Sequence, residues 1–265
     1  MKILLIIGNH PRHIYLENLL FDRGLLSDLI VQDRESFSSP INETIIKKNK
    51  KLYIEHFKKR EESELKFYGN RSIKFDKYLS ISPDDLNSDL VINYIKSSNP
   101  DILITNGIGI IKDNLLNVFP EQSWNIHGGL SPWFKGSITH FWPSYFLKPQ
   151  YTGVTIHYIS SKIDAGKIIH QTPAILKYND SLHDLSSRSL KVGYESIPKL
   201  IDRYESDKFL PSVTQKNTGK LWLKKDWKPE HLQLIYEFYN DKVVDMYLDG
   251  KFEKDEQKIF DNFKF

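Results

Sequence analysis

Residues 125–136 read NIHGGLSPWFKG, which places an asparagine and a histidine two residues apart before a glycine-rich turn. Side chains alternate between the two faces of a strand, so Asn125 and His127 are expected to point to the same side. An amide can donate a hydrogen bond to a developing oxyanion, and an imidazole can hold or transfer a proton near neutral pH. The pair therefore indicates either acyl chemistry at the carboxyl end of a buried strand or a polar cap on that strand end.

A third polar residue, Asp164, follows in the segment GVTIHYISSKIDAGKIIHQ and can orient or charge-stabilise the imidazole of His127. No protein nucleophile accompanies them, because the chain has no cysteine and no G-x-S-x-G elbow. A catalytic site built on these residues would transfer a group directly between two bound substrates. His157 and His170 lie in apolar, strand-like runs and are interpreted as core histidines, and the histidines show no metal-binding spacing.

The ordered set N-I-H, G-L-S-P-W-F-K-G, G-V-T-I-H and D-A-G-K-I-I-H-Q resembles the 10-formyltetrahydrofolate-dependent formyltransferase family. The signature of that family is N-x-H, a proline-containing turn closing in Lys/Arg-Gly, a G-x-T-x-H strand and a D-x-G further along the chain. Here His127 and Asp164 are 164 − 127 = 37 residues apart, as the signature requires. The resemblance covers roughly residues 1–205 and is strongest over 101–175.

The resemblance implies a role for each of these residues. Asn125 and His127 would hold the formyl oxygen while a tetrahedral intermediate forms, and Asp164 would keep His127 productive or position a water for proton relay. The formyl donor would be 10-formyltetrahydrofolate, and no metal is expected. Folate would lie against the loop before N-x-H and the loop that carries Asp164, which predicts as cofactor-binding residues Ile108, Gly109, Ile110, Ile111, Ile159, Ser160 and Ile163.

Two turns are predicted to contact the acceptor substrate. Gly8 precedes a helix start whose free N–H groups can hold an anionic group, with added charge from Arg12. Family members often read N-I-H-P-S-L-L-P, so Gly128 and Gly129 depart from that pattern and indicate a more flexible turn with a remodelled acceptor side. The predicted substrate-binding residues are Gly8, Asn9, His10, Arg12, Gly128, Gly129, Thr139 and His140.

Length and charge favour a nucleotide-linked amino sugar as the acceptor. The 265 − 205 = 60 residues after the resemblance are fewer than the barrel domain expected of a methionyl-tRNA formyltransferase, and the net charge of +3 is low for binding tRNA. Glycinamide ribonucleotide formyltransferases tend to end near the close of the core. Both remain alternatives, as does a formyl-folate hydrolase and, from another class, a folate or nucleotide sensor without catalysis.

The elements that must position these residues follow from the hydrophobic pattern. Short apolar runs at 2–7, 26–32 and 101–105 are typical of strands buried on both faces, and a helix ending at Gly24 is predicted between the first two. Further strands are predicted at 123–127, 153–159 and 167–176. The pattern favours an α/β, Rossmann-like fold with a mostly parallel twisted sheet, helices on both faces and a small C-terminal α+β extension.

Helices and boundaries follow from capping and charge. One helix is predicted over 82–101 with Ser82 as its cap, and another over 179–206 with Asp180 or Ser181 as the cap. The lysine-rich segment 41–66 is interpreted as a solvated surface helix, with a polyanion-binding face as the alternative. A catalytic domain is predicted over 1–205 and a C-terminal extension over 206–265.

The extension begins with a predicted exposed strand over 219–227 and a predicted amphipathic helix over 229–240. Its aromatic residues are expected to pack a homodimer interface, with stacking on a base or a sugar as the alternative; they are Trp222, Trp227, Tyr236 and Tyr239. The sequence has no G-x-G-x-x-G motif and no apolar run of membrane-spanning length. A cytoplasmic enzyme of small-molecule substrates, without nucleic-acid or membrane partners, is therefore expected.

Overall fold

A computed structural model of the protein describes residues 1–33, 47–216 and 219–264. The strands are β1 Ile3–Gly8, β2 Asp28–Gln32, β3 Leu79–Ile81, β4 Ile102–Asn106, β5 Gln122–His127, β6 Phe134–Gly136, β7 Gly153–Tyr158, β8 Ile168–Pro173 and β9 Lys220–Trp222. The helices are α1 Pro11–Phe21, α2 Lys47–Tyr68, α3 Asp89–Ser98, α4 Asp113–Leu116, α5 Trp142–Tyr145, α6 Leu182–Asp207 and α7 Val243–Leu248.

Seven strands form one sheet in the order β3-β2-β1-β4-β5-β7-β8. The first five are parallel, whereas β7 runs antiparallel to both β5 and β8. Alternate residues of β1 enter two apolar clusters, with Leu5 packing beside α1 and α6 and Leu4 packing beside α3. Helices therefore cover both faces of a mostly parallel sheet, which confirms the predicted Rossmann-like α/β fold.

Several element boundaries differ from the predicted ones. Helix α1 begins at Pro11, whose fixed φ suits the first helical position, and ends at Phe21, three residues before Gly24. The single helix predicted over 82–101 is wrong, because the chain forms a 3-10 turn at Pro83–Asn87 and then adopts an extended conformation at Ser88 before α3. Ser82 makes no backbone cap, and its hydroxyl instead donates to the Asp85 carboxylate at 2.7 Å.

The two longest helices pack against each other. Ser181 caps α6 by accepting a hydrogen bond from the backbone N–H of Asp184 at 3.0 Å, which decides between the two predicted caps. The interpretation of 41–66 as a solvated helix is wrong for the residues described, since α2 buries Leu52, Tyr53 and His56. Residues 41–46 of that segment lie outside the described residues.

The described residues after α6 form one short strand and several short helical turns. The predicted helix over 229–240 is replaced by a 3-10 turn at Pro229–His231 and a π-helical turn at Leu234–Phe238. The predicted strand over 219–227 is limited to β9, which pairs in parallel with β6. A third apolar cluster joins these residues to α2, α5 and α6, and it includes the rings of Trp222, Trp227, Tyr236 and Tyr239. A dimer interface built on these residues stays a prediction.

The division of the chain at residue 205 stays a prediction. Within the described parts of the chain, no helix is both long and apolar enough to cross a bilayer.

Candidate active site

The polar residues of the sequence motif lie where three neighbouring strands run side by side. Asn125 on β5 is flanked by Thr105 on β4 and by His157 on β7. Two residues later, His127 is paired with Thr155 of β7. Because β5 separates a parallel from an antiparallel neighbour, polar side chains from both sides converge at its carboxyl end.

The amide of Asn125 is held in one orientation by its neighbours. Its Oδ1 accepts a hydrogen bond from the Thr105 hydroxyl at 2.8 Å, so its Nδ2 faces the other way. That nitrogen lies 3.1 Å from His157 Nε2 and 3.4 Å from Asp164 Oδ1. The second contact is long for a hydrogen bond, so this N–H remains suited to a stronger acceptor brought by a ligand.

His127 is almost fully buried, with both ring nitrogens near oxygen atoms. Its Nε2 lies 2.8 Å from the carbonyl oxygen of Phe134, and its Nδ1 lies 3.3 Å from Asp164 Oδ2. A carbonyl oxygen can only accept, so Nε2 carries the proton of that hydrogen bond. A second proton on Nδ1 would give an imidazolium that donates to both oxygens, which is an arrangement suited to stabilising negative charge.

Asp164 joins the two histidines through its carboxylate. Its Oδ1 lies 3.4 Å from His157 Nε2, and its Oδ2 also accepts the backbone N–H of Gly136 at 2.7 Å. Burial raises the pKa of this carboxyl, but the neighbouring His127, the hydrogen bond from His157 and the Gly136 amide together hold the pKa well below its usual range. The carboxylate is therefore ionised at neutral pH.

The interpretation of His157 as an ordinary core histidine needs correction, because its ring also contacts residues of the candidate active site. It is buried as expected, but its Nδ1 donates to its neighbour's carbonyl, Tyr158 O, at 2.8 Å, and its Nε2 points at Asp164 and Asn125. The strand alternation that placed Asn125 beside His127 applies equally to Thr155 and His157 within G-V-T-I-H. That spacing could have identified His157 as a site residue, but its apolar neighbours in the strand favoured a core position instead.

The turn after His127 is shaped by space rather than by unusual backbone angles. A Cβ atom on Gly129 would lie 2.7 Å from His127 Nε2 and 2.8 Å from the Phe134 carbonyl oxygen, so no side chain fits there. A Cβ on Gly128 would lie 3.4 Å from His140 Cε1, an ordinary contact. The expectation of a freely flexible turn is therefore wrong at Gly129, which lets the backbone pass close to the imidazole.

Thr139 and His140 make their hydrogen bonds within the protein. The Thr139 hydroxyl donates to the carbonyl oxygen of Gly128. The His140 Nε2 lies 2.7 Å from the carbonyl of Gly153, and its Nδ1 lies 2.8 Å from the hydroxyl of Ser186. Burial lowers the pKa of His140 to about 4, so the ring is neutral and supports the turn. Contact of these two residues with a substrate stays a prediction.

The two loops predicted for folate lie on one side of the sheet. Ile108, Ile111 and Ile159 pack against the apolar cluster that also contains α3. The backbone N–H of Gly109 donates to the Gln32 side-chain oxygen at 2.8 Å, which ties the first loop to β2. Ile110 remains 71% exposed, and on the other loop Ile163 is 45% exposed and Ser160 is also exposed. Contact of these two loops with folate stays a prediction.

The side chains at the turn before α1, which was predicted to bind an anionic group, contact other residues of the protein. Asn9 donates to Asp33 Oδ1 at 3.1 Å, and the ring of His10 lies 5.6 Å from that of His13. Arg12 points away from the helix start into an ion pair with Glu64 Oε1 at 2.6 Å. Burial acts against the charge of Arg12, but Glu64 holds its pKa above the ordinary value. The expected charge of Arg12 at an anion site is therefore already paired.

The arrangement offers a polarising amide, a histidine between two acceptors and an ionised carboxylate, which suits the stabilisation of an oxyanion with proton transfer. Among the residues described, no group of three His, Asp or Glu side chains has the geometry to hold a metal ion. Sequence reasoning identified Asn125, His127 and Asp164, and it missed Thr105, His157 and the Gly136 amide. A backbone donor such as Gly136 leaves no signal in the sequence.

Comparison with known proteins identifies the family that has this pattern. A family model described as formyl transferase matches residues 34–201, which is more than half of the chain. A methionyl-tRNA formyltransferase of Buchnera aphidicola subsp. Acyrthosiphon pisum is 28% identical over 122 residues, which make up 46% of this chain and 38% of that relative. The match therefore spans less than half the length of these curated relatives.

Solved structures share the architecture of the sheet. The formyltransferase PseJ of Anoxybacillus kamchatkensis, solved with UDP-4,6-dideoxy-4-formamido-L-AltNAc and tetrahydrofolate, has a TM-score of 0.52 at 20% identity, over 92% of this chain and 96% of that chain. A phosphoribosylglycinamide formyltransferase of Anaplasma phagocytophilum has a TM-score of 0.57 at 17% identity, over 84% of this chain and 98% of that chain. At these identities the likeness shows a common fold.

Proposed function

This chain belongs to the formyl transferase family, and on that premise we propose that it moves a formyl group from 10-formyltetrahydrofolate to the amine of a nucleotide-linked amino sugar. The observation that carries the proposal is the meeting of Asn125, His127 and Asp164 at one strand end without a protein nucleophile. Such a site can stabilise a tetrahedral intermediate but has no side chain to form an acyl-enzyme, so the acceptor amine attacks the donor directly.

The proposed reaction forms one bond and breaks one. The acceptor nitrogen attacks the formyl carbon, and the formyl oxygen becomes an oxyanion. The bond between that carbon and folate N10 then breaks, giving the formamide and tetrahydrofolate. The attacking nitrogen loses one proton and folate N10 gains one, so the reaction needs no other reagent.

Asn125, His127 and Asp164 each have a separate role in this reaction. The Asn125 Nδ2 group, with its weak 3.4 Å contact to Asp164, donates to the oxyanion. The imidazole of His127, fixed between the Phe134 carbonyl oxygen and the Asp164 carboxylate, lies beside Asn125 at the place where the oxyanion forms. The Asp164 carboxylate, ionised because its pKa is held low, orients His127 and accepts a hydrogen bond from a water that relays the proton of the amine.

Different observations support the predicted folate-binding loops and the proposed class of acceptor. The exposed Ile110 and Ile163 side chains offer apolar surface to a donor ring, and Ile163 directly precedes Asp164 in the chain. For the acceptor, the support is the fold shared with a formyltransferase solved with a UDP-linked formamido sugar. Glycinamide ribonucleotide and methionyl-tRNA remain the alternative acceptors.

A formyl-transfer assay with a panel of acceptors tests the proposal. The protein is incubated with 10-formyltetrahydrofolate and with UDP-, dTDP- or GDP-linked 4-amino sugars, glycinamide ribonucleotide or methionyl-tRNA. Release of tetrahydrofolate and the mass gain of one formyl group on the acceptor are measured. We expect turnover with a nucleotide-linked amino sugar, and turnover with another acceptor alone would replace the proposed acceptor class.

The variant His127→Ala is the matched control for catalysis. It should lose turnover while binding 5-formyltetrahydrofolate, an unreactive analogue of the donor, with unchanged affinity by calorimetry. Folate binding by the wild-type protein without turnover of any acceptor would support the sensor alternative. Absence of both binding and turnover would overturn the proposal entirely.

A further inference from the structure

Asp164 lies in a left-handed backbone conformation. Its φ is 48°, in the left-handed region, within the loop that joins β7 to β8. Such conformations carry a cost for residues other than glycine and persist where surrounding contacts fix them. The loop is also packed tightly, because a Cβ on Gly166 would lie 1.7 Å from the carbonyl oxygen of Tyr158. The contacts that hold this loop therefore determine where the carboxylate points.

The side chain of Gln215 spans this loop from outside the catalytic motif. Its Nε2 donates to the carbonyl oxygen of Asp164 at 2.8 Å and to the carbonyl oxygen of Gly166 at 2.8 Å. An amide nitrogen has two N–H groups, so both are used here. In the flipped orientation Oε1 would face two carbonyl oxygens, which repel it. The amide orientation is thus fixed by the loop.

The other end of the Gln215 amide shows that packing alone does not explain the residue. Its Oε1 is buried and has no hydrogen-bond partner among the described residues. A buried acceptor without a partner costs free energy, so an apolar side chain would be the better choice if this position only filled space. The two donated hydrogen bonds offset that cost.

Backbone pairing fixes the position of Gln215 relative to the loop. Val213 and Ile168 exchange two backbone hydrogen bonds, with N···O distances of 3.0 and 2.8 Å, where β8 begins. Further along, β9 pairs with β6, the strand whose Gly136 N–H holds the Asp164 carboxylate. The chain after α6 therefore supports Asp164 twice, once at its backbone through Gln215 and once at its carboxylate through β6.

We infer that Gln215 is a positioning residue for the reaction, acting through Asp164, and that Val213, Gln215 and β9 support the catalytic residues rather than forming an appendage. The inference rests on the proposed function. Asp164 contacts His127 and His157 at 3.3 and 3.4 Å, so a shift of about 1 Å would weaken both contacts. Loss of the Gln215 donors should lower turnover while the substrates still bind.

The variant Gln215→Met tests this with a matched control, Gln233→Met. Methionine has a similar length but no donors, and Gln233 lies in the same C-terminal region, where its Nε2 donates to Asn49 Oδ1 at 2.8 Å. We expect Gln215→Met to lower kcat about 10-fold to 100-fold with KM values within about 3-fold of wild type. Gln233→Met should keep the wild-type kcat. Equal kcat values in Gln215→Met and wild type would overturn the inference.

A double-mutant cycle with Asp164→Asn separates positioning from a general loss of stability. If Gln215 acts through Asp164, adding Gln215→Met to Asp164→Asn lowers kcat little further. If the two losses multiply, the inference is wrong. Gln215→Glu, which turns a carboxylate toward two carbonyl oxygens, should lose more activity than Gln215→Met, and it serves in the cycle if the methionine variant does not fold.

Hydrogen exchange of the loop gives a readout that does not depend on turnover. Peptides covering 159–167 should exchange faster in Gln215→Met than in wild type and at the wild-type rate in Gln233→Met. A wild-type protein without formyl transfer refutes the proposed function, and exchange then decides the structural part of the inference alone. Unchanged exchange in Gln215→Met overturns that part.

Discussion

Two pairs of buried histidines in this protein differ in what their ring nitrogens face. In the candidate active site, the rings of His127 and His157 lie 6.4 Å apart and each points a nitrogen at the Asp164 carboxylate. In the second pair, the rings of His56 and His183 are closer, at 4.4 Å, and His56 Nδ1 lies 3.2 Å from His183 Nε2. The first pair therefore shares an anion, whereas the second pair shares a hydrogen bond.

The surroundings of the second pair keep it uncharged. His56 Nδ1 also lies 2.9 Å from the hydroxyl of Tyr236, and the nearby charges of Arg60 and Lys59 are positive. Burial, with help from those two cations, lowers the pKa of His56 to about 3, and burial likewise holds the pKa of His183 well below its usual range. A carboxylate partner thus distinguishes a histidine pair suited to catalysis from one that joins α2, α6 and the C-terminal turns.

The largest expected effect comes from removing the anion of the first pair. Asp164→Asn keeps the shape of the side chain but removes the charge that both imidazoles face, so kcat should fall about 1000-fold. Binding of 5-formyltetrahydrofolate, followed by calorimetry, should remain. Asp249→Asn, which alters an exposed carboxylate that accepts from Tyr178, is the control and should keep its activity. A kcat above a tenth of the wild-type value in Asp164→Asn would contradict the role assigned to the first pair.

The turn beside His127 offers a smaller displacement of the first pair. In Gly129→Ala the new methyl group would lie 2.7 Å from His127 Nε2 and 2.9 Å from Thr139 Cβ, so the imidazole must move. Steady-state kinetics should show kcat lowered about 10-fold to 100-fold. Gly128→Ala, whose methyl meets His140 at 3.4 Å, should stay within about 2-fold of wild type. Equal kcat values in the two variants would show that the close approach at Gly129 has no consequence.

Breaking the second pair should change stability and leave catalysis alone. His56→Leu removes a ring that bridges Tyr236 and His183, leaving their polar atoms with fewer partners inside an apolar cluster. The free energy of unfolding, measured by urea denaturation, should fall by about 1–3 kcal/mol. The kcat of the folded fraction should match wild type. A fall in kcat without a fall in stability would mean that the second pair acts on the active site.

Local patterns in the sequence were sufficient to predict the central strands and most residues of the candidate site. The run that became β1 is apolar at nearly every position, and β2 and β4 each contain three consecutive apolar residues, a pattern typical of strands buried on both faces. Asn125, His127 and Asp164 could be chosen because their spacing matches a known signature. Their convergence follows from the alternation of β5 and from the loop after β7.

Contacts between distant parts of the chain could not be predicted in this way. Nothing local in the sequence pairs β9 with β6 or places Gln215 under Asp164, because both depend on how the chain returns after α6. The same holds for His56 and His183, which lie 127 residues apart and pair only through the packing of α2 on α6. The break before α3 was missed because Pro83 and the residues after it suit the first turn of one continuous helix. Ser88 also suits a helix cap, but the sequence does not show which of the two starts is used.

The smallest expected effect is on the pH dependence of the free energy of unfolding, which tests the electrostatic difference between the two histidine pairs. His56 binds a proton in the unfolded chain below about pH 6.5, but in the fold only near its lowered pKa of about 3. The unfolded state therefore binds more protons as pH falls through this window, so stability is lost with acidification, by about 1.4 kcal/mol per pH unit for one such histidine. Wild type should lose stability between about pH 6 and pH 5.

His56→Leu isolates the contribution of that residue within this window. His140 and His170, whose pKa values burial lowers to about 4, add the same slope to both proteins. The low pKa of Asp164 gives a loss of stability only at lower pH, since an ordinary carboxyl titrates near pH 4. The unfolding free energy of His56→Leu should therefore fall less steeply between about pH 6 and pH 5 than that of wild type. Parallel curves would mean that His56 is protonated inside the fold, and the contrast between the two pairs would then lose its electrostatic basis.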